Sequence, residues 1–139
     1  MKTVSRFLLV FALITAMLMG TVCAASAAER LIVSAVSEDA IAGPGNRLPN
    51  YTVVSVTAVD GTPVTGLAAA NFKIDAVIVG PGGSLVNITS VNPGRLPGFY
   101  TIQTVPIGTY TWKAGTYIFA VSVTQGIRHG QALAKVKMD

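Results

Sequence analysis

The chain carries one cysteine, Cys23, and one histidine, His129, in 139 residues. A single thiol closes no intramolecular disulfide, and one imidazole with one thiol falls short of the ligand set of a zinc site. A catalytic triad sets a base between a nucleophile and an orienting acid. His129 stands between Arg128 and Gly130, at an expected turn, with no such motif around it. Charge is sparse as well, at 12% of residues. The acids are Glu29, Glu38, Asp39, Asp60, Asp75 and Asp139. None follows the Asp-x-Asp-x-Asp spacing of a calcium loop; Glu38, Asp39 and Asp60 form the one set that a domain end could gather around a hard cation. Glycoside hydrolysis needs two facing carboxylates, and no spacing pairs Asp60 with Asp75. The glycines of "GPGGS" (Gly80 to Ser84) lack the Gly-Lys-Ser/Thr ending and the following helix of a phosphate loop, so a hairpin turn is expected there. The expectation is a chain with no catalytic residues, no metal and no cofactor.

What is present first is an N-terminal leader. "MKTVSRFLLVFALITAMLMGTVCAASAAER" opens with Lys2 and Arg6, continues through an apolar stretch from Phe7 to Met19, and ends in small residues with the pattern Ala25-Ser26-Ala27. This is the order of a secretory signal peptide, with cleavage expected after Ala27 or Ala28. The expected division is 1–27 as signal helix and 28–139 as one domain, exported to the periplasm or the cell exterior. Membrane contact would arise only if the leader stayed uncleaved as an anchor. Cys23 would leave with the leader. Removing Lys2 and Arg6 turns the formal charge from +4 into +2, eight Lys/Arg against six Asp/Glu. The remaining basic residues, Arg30, Arg47, Lys73, Arg95, Lys113, Arg128, Lys135 and Lys137, are scattered and form no run. Nucleic acid is therefore not an expected partner. Asn50-Tyr51-Thr52 and Asn87-Ile88-Thr89 are formal glycosylation sequons, relevant only in a eukaryotic secretory host.

Beyond the leader the apolar pattern has period two. Val54, Val56 and Ala58 share a face of Tyr51 to Val59; Phe72, Ile74, Ala76 and Ile78 share a face of Phe72 to Val79, opposite Lys73 and Asp75. Tyr117, Phe119, Val121 and Val123 share a face of Thr116 to Thr124. Ala132, Ala134, Val136 and Met138 share a face of Gln131 to Met138, opposite Lys135 and Lys137. Leu31 to Val36, Leu85 to Val91 and Phe99 to Val105 are weaker segments of the same kind. Turn signals separate them: "GPGNRLPN", "DGTP", "GPGGS", "NPGRLPG" and "PIGTYTWKAG". "LAAAN" (Leu67 to Asn71) is enough for one helical turn. About seven short strands with Gly/Pro punctuation predict an all-β, immunoglobulin-like antiparallel sandwich, with a small closed barrel as the structural alternative. Gln131 to Met138 is expected at a sheet margin, its lysines discouraging strand addition.

"VSVTAVDGTPVTGLAAANFKI", "PGFYTIQTVP" and "WKAGTYIFAVSV" together resemble the bacterial immunoglobulin-like and macroglobulin-like domains of exported proteins, over Leu31 to Met138. The resemblance implies a sandwich serving as a structural, adhesive or interaction module of the cell envelope, with another envelope or extracellular protein as partner. It implies no catalytic residue. Within "DGTPVTGL", Gly61 suits a tight turn and Pro63 a loop or sheet edge, while Val64 and Leu67 are expected as apolar plugs. The stretch reads as a connector first; loops at sandwich ends are also where such domains carry function. Tyr110 and Trp112 are the candidate ligand-binding residues. Exposed together they would stack on a glycan or anchor a protein; alternatively Trp112 caps the core and Tyr117 begins a core strand.

Overall fold

Strands form where the period-two pattern runs and stop at the Gly/Pro signals. The computed structural model describes residues 30–38, 42–79 and 86–139. The leader, its cleavage site, Cys23, Glu29, Asp39 and the "GPGGS" turn lie outside the described residues, as do the side chains of Ala76 and Ile78. The strands are β1 (Leu31–Ser37), β2 (Asn50–Ala58), β3 (Phe72–Val79), β4 (Val86–Pro93), β5 (Phe99–Pro106), β6 (Gly115–Gln125) and β7 (Arg128–Met138). "LAAAN" supplies a single 3-10 turn, Ala69–Asn71.

Two antiparallel sheets result, in the orders β1-β2-β5-β4 and β3-β6-β7. This is the strand order of the constant-type immunoglobulin sandwich. Between the sheets, Val54 and Val56 of β2 and Tyr100 and Ile102 of β5 meet Phe72 and Ile74 of β3, Phe119, Val121 and Val123 of β6, and Val136 and Met138 of β7; all are buried. The rings of Phe72 and Tyr100 lie 5.2 Å apart across the layers. The inner face of β2 continues past its apolar residues into Thr52 and Asn50, which with Ser37 and Thr104 make a buried polar patch. Asn50 donates through Nδ2 to the Ser37 hydroxyl at 2.8 Å.

The sandwich corner is made by β1 and β7. An isolated parallel bridge joins Arg30 to His129, and β1 packs along β7 from there. Gly130 permits the approach: a Cβ at this position would fall 2.4 Å from the Leu31 carbonyl oxygen. His129 therefore belongs to a strand rather than to the turn expected for it. The β6–β7 connection is only Gly126-Ile127, because Gln125 already pairs with Arg128. Gly126 takes φ 61°, and a glycine at the first position of a two-residue hairpin loop matches the right-handed twist of the strands it joins.

The outer faces of the two sheets differ in character. On β1-β2-β5-β4 the outward positions are Ile32, Ser34 and Val36; Tyr51, Val53, Ser55 and Thr57; Phe99, Thr101, Gln103 and Val105; and Asn87, Ser90 and Asn92. None is charged. A bulge between Ile88 and Ser90 restores the alternation of β4 after Thr89. On β3-β6-β7 the outward positions include Lys73, Asp75, His129, Lys135 and Lys137.

Candidate functional site

Alternating strand directions send three connections to one end of the sandwich: residues 59–71 between β2 and β3, 94–98 between β4 and β5, and 126–127 between β6 and β7. Arg30, at the start of β1, joins them.

The first connection is held from several sides. Asp60 accepts the Thr62 N–H on Oδ1 at 2.9 Å, and Gly61 takes φ 85°, closing a tight turn of the kind these side chains favour. The chain then doubles back on β2: the Val64 N–H donates to the Val56 carbonyl at 3.0 Å. Val64 and Leu67 are buried, as expected of plugs. The Tyr100 hydroxyl locks them, donating to the Val64 carbonyl at 2.8 Å and accepting the Leu67 N–H at 3.2 Å. Asn71 donates through Nδ2 to the Thr124 carbonyl at 2.8 Å, tying the connection to β6. The second connection rests on the first. The Gly98 carbonyl accepts the Val56 N–H at 2.8 Å, and a Cβ on Gly98 would meet the Val56 oxygen at 2.8 Å and the Pro63 Cβ at 3.0 Å.

An open cleft of about 320 Å³ separates this platform from the β6–β7 hairpin, lined by Asp60, Thr62, Pro63 and Thr65 on one side and Gln125 and Arg128 on the other. The Arg128 guanidinium donates to the Gln125 side-chain oxygen. The Asp60 carboxyl is held below its ordinary range, chiefly by the Thr62 backbone and side-chain hydrogen bonds, with a lesser contribution from the Arg128 charge. Each connection also presents a large aliphatic side chain to solvent beside a charged one: Val59 with Asp60, Leu96 with Arg95, Ile127 with Arg128. Their exposures are 52%, 63% and 76%.

The residues singled out from sequence are distributed differently. Tyr110 is 64% exposed, but Trp112 is 1% exposed. Its indole N–H donates to the Leu48 carbonyl at 2.8 Å, and its ring meets that of Tyr117 edge-on at 5.5 Å. Trp112 thus plugs the opposite end of the sandwich, and the pair does not form a two-ring stacking surface. Glu38 and Asp60 flank opposite ends of β2, about 30 Å of extended chain, so they do not converge on one cation. Among the described residues no group of three or more His, Cys, Asp or Glu is placed to hold a metal. Asp75 pairs with Lys73 at 2.9 Å on the outer face of β3, and His129 lies exposed in β7. Of the two sequons, Asn50 is fully buried while Asn87 is exposed.

Sequence reasoning missed the set formed by Arg30, Arg95 and Arg128 with Val59, Leu96 and Ile127. These residues are far apart in the chain, and only the strand order brings them to one end. The legible trace was local, an aliphatic next to a charge within each of three turn segments. Compared with protein-family models, with curated proteins and with solved structures, the chain matches none.

Proposed function

We propose that the chain is a non-enzymatic, exported immunoglobulin-like module of the cell envelope, and that it binds another protein through the end bearing residues 59–71, 94–98 and 126–127. The carrying observation is that three braced connections each expose one large aliphatic residue beside a charge. Interface cores are more apolar than the surrounding surface, enriched in arginine and poor in lysine and glutamate. This end has three arginines and no lysine. Its bracing by Tyr100 and Gly98 means that little order remains to be imposed on binding, which favours affinity. Export rests on the leader sequence alone. The glycan alternative keeps only Tyr110, since Trp112 is turned into the core.

A photoreactive residue in place of Ile127, compared with one in place of Lys73 on the outer face of β3, tests the proposal in the producing cell. Specific protein adducts are expected from position 127 and not from position 73. No adduct at 127, or the same adducts from both, defeats it. Binding on a glycan array by the unmodified protein, lost on Tyr110→Ala, would favour the carbohydrate alternative instead.

A further inference from the structure

We infer that the uncharged outer face of β1-β2-β5-β4 is a self-association surface, and that its occupant is the same face of a second copy of this chain.

Charge placement carries the inference first. The protein has a net positive formal charge, yet the outward positions of four adjoining strands hold no Lys, Arg, Asp or Glu. The outward lysines of the strands are diverted to β3 and β7, and Arg30, Arg95 and Arg128 to the loop end. Two copies of a cationic protein repel wherever basic surfaces meet. They meet at least cost across this face, whose strands carry no outward charge; the nearest charges, Arg30 and Glu38, lie just beyond the two ends of β1. Lysine and glutamate, depleted at interface centres, are absent, while apolar and aromatic side chains are present. Ile32, Val36 and Phe99 are all more than one third exposed, and they alternate with Ser55, Thr101 and other short polar residues. Short and β-branched side chains lose little rotamer freedom on contact.

Size carries it second. Four strands spaced about 4.8 Å apart and about eight residues long present roughly 500 Å² per copy in projection. Two copies would bury on the order of 1,000 Å², near the threshold for a biological interface and in the range of weak, transient ones. The expected product is a reversible, isologous dimer rather than an obligate one. It leaves the loop end of each copy free, so the inference stands independently of the proposed partner site.

The protein should be expressed from its full sequence, purified in the form the cell accumulates, and followed by sedimentation velocity and amide NMR across a wide concentration range. A monomer–dimer equilibrium is expected, with concentration-dependent shifts on the outward residues of β1, β2 and β5. Thr101→Lys and Ser55→Lys each place like charges on both copies and should weaken dimerisation by about tenfold or more. Gln131→Lys, on the outer face of the other sheet, should leave it unchanged. A protein that stays monomeric throughout, or shifts confined to the loop end or to β3-β6-β7, overturns the inference. So does unimpaired dimerisation of the folded lysine variants. If both variants fail to fold, the shift map of the unmodified protein still decides.

Discussion

At the scale of single residues, two positions show how differently a side chain can matter. Phe119 is fully buried between the sheets, where it contacts Trp112 and Tyr117 through ring faces and edges. Truncating it leaves a cavity that close-packed neighbours cannot refill. Phe119→Ala should cost about 3–5 kcal/mol, a large share of the roughly 5–15 kcal/mol that holds a typical domain folded. A lowered denaturation midpoint with an unchanged transition slope is the expected result. Asp60 is exposed, and its influence is conditional on pH. Its carboxyl is more acidic when folded, so its stabilisation of the turn is complete above the unfolded value near 3.9 and is lost as pH falls through the lower folded value. Carboxyl NMR should place its midpoint below the unfolded value of about 3.9. Asp60→Asn retains an acceptor for the Thr62 N–H and should abolish the pH response while keeping the turn. A midpoint at or above the unfolded value would show that the Thr62 hydrogen bonds do not persist in solution.

At the scale of elements, the connection between β2 and β3 is a loop with the interior of a strand pair. It stays in place because Tyr100, projecting inward from β5, satisfies one donor and one acceptor of its backbone. Tyr100→Phe keeps the ring and its contact with Phe72 but strands the Val64 carbonyl and the Leu67 N–H. Each buried group left without a partner costs about 1–3 kcal/mol. The expected sign of this is local: amide exchange over residues 62–68 should accelerate more than exchange in β6. Uniform acceleration would mean that the tyrosine hydroxyl supports the whole sandwich rather than this connection. The strands themselves were legible in the sequence because alternation is a property of the chain alone. β3 begins and ends where the pattern predicts, and Val54, Val56, Phe72, Ile74, Phe119 and Val121 are all buried as expected. Legibility failed where pairing decides. Asn50 and Thr52 are polar yet face inward, because register commits every second residue of β2 once Val54 and Val56 are inside. β7 reaches back to Arg128, since a two-residue turn leaves nothing between the strands to unpair. Trp112 is buried by contacts from Leu48 and Tyr117, neither of which its own neighbours in sequence announce. The arginine and aliphatic tips of the loop end belong to the same class: their grouping is a consequence of topology.

At the scale of the whole molecule, the two sheets leave margins of unequal exposure. β7 borders the three-stranded sheet, as expected, but β1 packs along it through the gap that Gly130 leaves. At His129 and Gly130 an incoming strand would have to displace the start of β1. β4 is interrupted by its bulge and ends in Pro93, both of which spoil a template for pairing. β3 pairs with β6, and no other described strand is hydrogen-bonded to it. Both β3 and β7 are thus margins of this sheet, and the outward charges on them are Lys73 and Asp75 on the first and Lys135 and Lys137 on the second. The ion pair between Lys73 and Asp75 is more than half exposed on both sides, and exposed pairs add little stability. Replacing both with Thr should leave the unfolding midpoint nearly unchanged while promoting growth of β-rich aggregates on prolonged incubation. Thioflavin fluorescence and light scattering at matched concentration would detect it. Lys135→Thr with Lys137→Thr is expected to produce less growth, because β1 packs along β7. The reverse ranking would mean that β1 separates readily from β7, and that the corner closed by Gly130 opens in solution.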